Sequence, residues 1–155
     1  MEELREGGFL ISKIRQLSER IFAKLLRDFN VNEISAAQGR VIFPLWQKDN
    51  LSFQELRKKT SLSKATLSHM LDSLEEGGHI KRVRSEKDKR TINIKLTKKN
   101  KALQDKFLQV SNEMKDIYYK DFSEKDIDEF EGYLRRLLGN LIEFSETDKK
   151  REQIN

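Results

Sequence analysis

Few side chains in this 155-residue sequence are of the kinds that make or break covalent bonds. Cysteine is absent, so disulfides, thiolate metal sites and thiol redox sensing are excluded. The two histidines, His69 and His79, belong to no His-Glu-x-x-His pattern, and no glycine-rich phosphate loop occurs. A zinc site would have to combine these two with carboxylates, whereas metal-sensing sites usually cluster several histidines. The expectation is a protein that is not an enzyme and holds neither metal nor cofactor. The chemistry that remains is recognition of a polyanion. Ser63, Lys64, Ala65, Thr66, Ser68 and His69 interleave with the apolar series Leu67, Met70, Leu71 and Leu74. On a helix that spacing turns the polar set outward. Hydroxyls and free amides at a helix start can hold phosphate, Lys64 can reach phosphate or guanine, and Thr66 or His69 can approach base edges. Ser63 also suits the N-cap, a commoner role for serine than recognition. Further on lie Arg84, Asp88, Lys89 and Arg90. Asp88, two residues before Arg90, could hold its guanidinium in one orientation and aim it into a narrow minor groove.

Formal net charge is +5, yet residues 57–101 carry +9 and the remainder −4. A basic middle between acidic flanks points to a polyanion-binding face on a separate scaffold, with a merely solvated basic surface as the alternative. Apolar residues make up 36% of the chain and charged ones 37%, a balance that fits either a disordered chain or a helical protein burying extra surface against a second copy. The nine Phe and the helical spacing of apolar residues favour the second. The start, Met1-Glu2-Glu3, lacks the basic residues of a secretory signal, and the longest uncharged apolar run, Val41 to Trp46, is too short to cross a bilayer. The cytoplasm is the expected compartment, with no membrane partner.

The elements that must position these residues follow from periodicity. Leu10, Ile14, Leu17, Ile21, Leu25 and Phe29 recur in steps of three and four, predicting a helix over 9–29. Ser35 is placed to cap a second helix to Gln47, which Pro44 should bend or shorten. Lys48-Asp49-Asn50 reads as a turn, and Ser52-Phe53-Gln54-Glu55 has the form of a capping box for a short helix. After Thr60-Ser61-Leu62 comes the helix of 63–77, stopped at Gly77-Gly78. The period then changes to two. Residues 80–84 and 92–96 read as strands of a hairpin, with 85–90 as its polar tip. Helical spacing returns over 102–122 and again over 127–144, the latter capped from Ser123, with a polar, frayed tail from Ser145. Two short helices across a tight turn followed by a basic hairpin form a winged helix-turn-helix pattern.

Segment 35–97 resembles the core of the MarR family. The resemblance runs through Gln38-x-x-Val41-x-x-x-Leu45, Glu55-Leu56 and Ser61-Leu62-Ser63-Lys64-Ala65-Thr66-Leu67. It continues through Leu71-Asp72-Ser73-Leu74-Glu75-Glu76-Gly77-Gly78-His79-Ile80-Lys81-Arg82, then Asp88-Lys89-Arg90 and Leu96-Thr97. It implies a mainly α fold with a small β-hairpin wing and an intertwined helical homodimer. By it, 63–77 is the recognition helix, and Asp88 and Arg90 are the wing pair. It also implies a cleft for small, often aromatic anionic effectors, which Phe43, Trp46 and Tyr118 could line, although helix aromatics at such spacing are more often plain core. The sequence departs from the family at His69, where Arg is frequent, at Asn100, where Gly is common, and at Pro44.

The expected organisation is an N-terminal dimerisation helix in 1–34, a DNA-binding domain in 35–97, dimerisation helices in 98–145 and a tail in 146–155. The expected function is sequence-specific binding of a pseudo-palindromic operator in double-stranded DNA, as a repressor released by a small effector. A winged-helix module that binds protein, or an architectural DNA binder without sequence readout, are the rival expectations.

Overall fold

The computed structural model describes residues 3–154. Six helices and three strands follow in the order α1 (Gly7–Asp28), α2 (Ala36–Gln47), β1 (Leu51–Ser52), α3 (Phe53–Thr60), α4 (Lys64–Glu76), β2 (Ile80–Arg84), β3 (Ile92–Leu96), α5 (Lys98–Tyr118) and α6 (Glu124–Ile154). The chain forms two compact units, one ending at Met114 and one beginning at Lys115.

In the first unit, short-range capping sets the helix starts. Ser35 and Gln38 form a reciprocal capping box at α2, and Ser52 and Glu55 form another at α3. Pro44 sits inside α2 without ending it, since Lys48 N–H still donates to the Pro44 carbonyl at 3.0 Å. The wing is larger than the expected hairpin. Leu51 and Ser52 pair antiparallel with Ile94 and Asn93, giving a three-stranded sheet in the order β1-β3-β2. Asp49 makes this possible: its Oδ1 accepts from Leu96 N–H at 2.9 Å, tying the turn before β1 to β3. In β2 and β3, Ile80 pairs with Leu96 and Arg82 with Ile94. That register buries Ile80 and Ile94 and leaves Val83 exposed.

The core of this unit sits where α2, α3, α4 and the sheet meet. Ile42, Leu45, Leu51, Leu56, Leu71 and Ile94 are among its fully buried side chains. Burial of such residues stabilises by about 1.5–3 kcal/mol each. A second cluster joins Leu26, Val31, Phe107 and Val110, with Phe22 and Trp46 against it. There the Phe107 ring meets the Trp46 indole edge-on at 4.5 Å and the Phe22 ring at 5.5 Å. Gly39 on α2 leaves room for Phe107, whose Cζ lies 2.5 Å from where a Cβ would stand. Much of the apolar face of α1 finds no cover: Phe9 is 68% exposed, and Leu10, Ile14 and Leu17 are exposed too.

The second unit is the end of α5, a turn and α6. Ser123 and Asp126 cap α6 reciprocally, and the hydrogen bonds from Ser123 hold the Asp126 carboxyl below its ordinary range. Tyr119 packs on Phe122 and Phe130, and its hydroxyl donates to Glu131 at 2.9 Å. Burial, then the bonded carboxylate, push that phenol up. Contrary to the expected frayed tail, α6 runs on through Ser145 to Ile154. The segment is rich in Glu, Lys and Arg, good helix formers with no breaker among them. No described residue of α6 is buried, and its apolar side chains, such as Leu138 and Leu141, stand in solvent. No helix among the described residues is long and apolar enough to cross a membrane.

Candidate nucleic-acid interface

The recognition helix expected at 63–77 is α4. Ser63 is its N-cap, accepting from Thr66 N–H at 3.2 Å and donating its own hydroxyl to Thr66 Oγ1 at 2.9 Å. Both hydroxyls are thus engaged with each other before any ligand arrives. Leu67, Leu71 and Leu74 are buried, at helical spacing, against the core. The opposite face therefore presents Lys64, Ala65, Ser68 and His69, with Ser68 half-buried and the others exposed. A lysine, a hydroxyl and an imidazole within the first two turns offer charge toward phosphate and donors toward base edges.

The wing tip is built differently from the expectation. Asp88 does not grip the Arg90 guanidinium: its Oδ1 accepts from the Arg90 backbone N–H at 3.0 Å. Thr91 N–H donates to the Asp88 carbonyl at 2.9 Å, and Ser85 N–H to the Thr91 carbonyl at 2.9 Å. The carboxylate closes a turn because an amide two residues on is the nearest donor and is already fixed by the chain. Among the described residues Arg90, Lys89 and Arg84 form no ion pair, and all three are exposed. The tip is folded while its cations remain available.

Sequence reasoning missed the groups that join helix to wing. Arg82 on β2 pairs with Asp72 on α4, its Nε faces Glu75 Oε1 at 3.6 Å, and its backbone N–H donates to Glu75 Oε2 at 2.8 Å. Asp72 lies on the exposed side of α4, where a bare carboxylate would repel a polyanion, and Arg82 offsets that charge. At the exit of α4, Gly78 takes φ +78°, a left-handed turn that suits glycine. Thr97 Oγ1 donates to the Gly78 carbonyl at 2.6 Å and Lys99 Nζ to the Gly77 carbonyl at 2.9 Å. Lys101 pairs with Asp49 at 3.5 Å, so Lys99 and Lys101 serve the fold as well as the surface charge.

The three aromatics considered for an effector cleft have different surroundings. Trp46 packs into the core, with its indole N–H donating to Asn100 Oδ1 at 2.8 Å. Phe43 on α2 is exposed, and Tyr118, also exposed, belongs to the second unit.

The fold and the arrangement of α3, α4 and the sheet define a winged helix-turn-helix protein. The chain matches the model of the MarR family over residues 34–92. It is 35% identical over 75 residues to the HTH-type transcriptional regulator TtmR of Methylorubrum extorquens (strain PA1), covering 48% of this chain and 38% of that protein. With the HTH-type transcriptional repressor YetL of Bacillus subtilis (strain 168) it shares 33% over 112 residues, 71% of this chain and 65% of YetL. The chain thus spans less than two thirds of either relative. The HTH-type transcriptional regulator MgrA of Staphylococcus aureus is 28% identical over 137 residues, covering 88% and 87%. Among solved structures, a mutant MarR from E. coli complexed with operator DNA superposes with a TM-score of 0.76 at 25% identity, over 88% of this chain and 99% of that one. Reduced AbfR bound to DNA gives 0.70 at 26% identity, over 88% and 92%.

Proposed function

We propose that this protein is a sequence-specific double-stranded-DNA-binding transcriptional regulator, acting as a homodimeric repressor on a pseudo-palindromic operator. The observation that carries the reading is the outward face of α4, with Lys64, Ala65, Ser68 and His69 in the same compact unit as the cationic wing tip of Arg84, Lys89 and Arg90. Thr66 flanks that face, Ser63 caps it, and Asp88 shapes the tip. In this reading α4 enters the major groove and the tip follows the minor groove. A second copy would cover the exposed apolar faces of α1 and of α6, and two-fold symmetry would set two recognition helices about one DNA turn, ~34 Å, apart. The DNA-bound relatives support this reading. Without cysteine, release would be driven by a ligand or a partner protein rather than a thiol oxidant. A small aromatic anion is the ligand class to test, with Phe43 and Tyr118, both exposed, each tested separately as a contact.

Selection of bound genomic fragments tests the proposal, with an inverted repeat of half-sites one helical turn apart as the expected result. Lys64→Ala and Arg90→Ala should each weaken operator binding without unfolding the protein. Each lost phosphate contact should lower the slope of log affinity against log salt by about 0.9. Preference for a selected site over random DNA below ~10³ would favour an architectural binder instead. Wild-type affinity in both variants at physiological salt would refute the assignment.

A further inference from the structure

Two buried polar residues in the first unit are not part of the DNA-facing surface. His79 is 2% exposed and Asn100 is fully buried. His79 leaves the recognition helix right after Gly77-Gly78 and precedes β2, while Asn100 lies in the first turn of α5. The His79 carbonyl accepts from Thr97 N–H at 3.1 Å, so this residue is also where the base of the wing is tied.

Trp46 Nε1 lies 2.8 Å from Asn100 Oδ1, and Asn100 Nδ2 lies 3.3 Å from His79 Nδ1. These contacts fix one another. An indole N–H can only donate, so the amide oxygen must face Trp46. The amide nitrogen must then face His79, and it too can only donate. His79 Nδ1 is therefore an acceptor without a proton, and the neutral ring carries its hydrogen on Nε2. Nε2 looks toward Glu33 Oε2, 3.8 Å away, in the connection between α1 and α2. A proton added at Nδ1 would set two donors against each other. Turning the amide over would only move the clash to the indole.

The charged groups acting on the ring are Lys99 of α5, which opposes protonation, and Glu33, which favours it. Trp46 of α2 is uncharged, and Gly77 at the exit of α4 brings no side chain. Burial first, and then Lys99, hold the imidazole below its ordinary range, against the weaker pull of half-exposed Glu33.

We propose that Trp46, Asn100 and His79 form a proton-sensitive latch that locks the exit of the recognition helix and the base of the wing to the start of α5 while His79 is neutral, and that acid opens it. The effect on operator binding rests on the DNA-binding reading; the latch does not. Opened, the latch loses one internal hydrogen bond, so operator affinity should fall about three- to tenfold on acidification through the His79 midpoint. His79→Gln, which cannot titrate, should lack that step.

The first measurement uses the full-length protein free of DNA, with the ring nitrogens of both histidines followed by long-range 1H–15N correlation. Expected for His79 are a bare Nδ1, a hydrogen on Nε2 and a midpoint below that of histidine in an unstructured peptide. Asn100→Asp supplies a carboxylate that accepts from both neighbours, so it should place a hydrogen on Nδ1 and move the midpoint upward. A hydrogen on Nδ1 in the wild type overturns the latch whether or not the variant folds. So does an Asn100→Asp titration that coincides with the wild type. The second measurement is anisotropy with the selected duplex across the same pH range, for wild type and His79→Gln. Parallel pH profiles overturn the coupling to DNA, whereas failure of both proteins to bind any duplex refutes the functional reading and leaves the latch to the ring nitrogens.

Discussion

Gly39→Ala should destabilise the first unit, although alanine is the better helix former. The new Cβ would stand 2.5 Å from Phe107 Cζ and 2.9 Å from Cε2, where ordinary contact is 3.4–4 Å. The ring would have to retreat by roughly 1 Å, the shortfall in that contact distance. It has little room to do so, because Phe107 is buried between the edge-on rings of Trp46 and Phe22. Overpacking of this kind costs about 1–3 kcal/mol, and the gain in helix propensity returns about 1 kcal/mol. The net expectation is a loss of up to about 2 kcal/mol. Urea unfolding at one fixed protein concentration measures it, concentration being held constant because association would add to apparent stability. Phe107→Leu should cost stability alone but relieve the clash, so the double variant should show a favourable coupling of about 0.5–3 kcal/mol. If Gly39→Ala raises the midpoint, or the coupling is zero, the packing argument is wrong.

The other expectations are simpler. The His79 midpoint is lowered by folding, so the unfolded chain binds the proton first; stability should be unaffected well above pH 6.5, fall as pH drops through that value, and level off below the folded midpoint, with His79→Gln flattening the slope in thermal melts. Ser52→Ala removes the acceptor for Glu55 N–H and should cost about 1 kcal/mol, read from the shift in denaturant midpoint. Asp88→Ala should loosen the wing tip and lower operator affinity, while Asp88→Asn, which keeps an oxygen for the Arg90 amide, should bind more nearly as wild type in anisotropy. Equal loss in both variants would show that the charge of Asp88, rather than its turn, is what matters.

The features legible in the sequence are those whose partners lie within a turn or two of helix. Leu67, Leu71 and Leu74 signal one another, as do Ser35 with Gln38 and Ser52 with Glu55. The order of helix, turn, helix and hairpin follows from such local signals, and so does the outward set on α4. What stayed hidden depends on residues far apart in the chain. The two-residue strand β1 is too short to show a period and exists through its pairing with Asn93 and Ile94. Asn100 is visible in the sequence only as a departure from a common glycine, because its partner Trp46 is 54 positions away. Asp88 and Arg90 were adjacent enough to notice, yet spacing alone does not say whether a carboxylate will take a guanidinium or a backbone amide.

The bonds around α4 are unevenly placed, and the unevenness bears on function. Its C-terminal half is fastened from several sides: Asp72 and Glu75 to Arg82, Ser73 to Gln38 at 3.1 Å, and the Gly77 carbonyl to Lys99. Among the described residues, the side chains of Lys64, Ser68 and His69 in the N-terminal half form no hydrogen bond to the rest of the molecule. A ligand there meets groups that need not first break internal bonds, mounted on a helix that is fixed elsewhere. Rigid mounting with free end groups is what positional readout of a duplex requires, since a tilt of the helix would displace every contact at once. It follows that substitutions in the fastening set, such as Arg82→Met, should weaken all operator sequences together, whereas His69 substitutions should change which sequences are preferred.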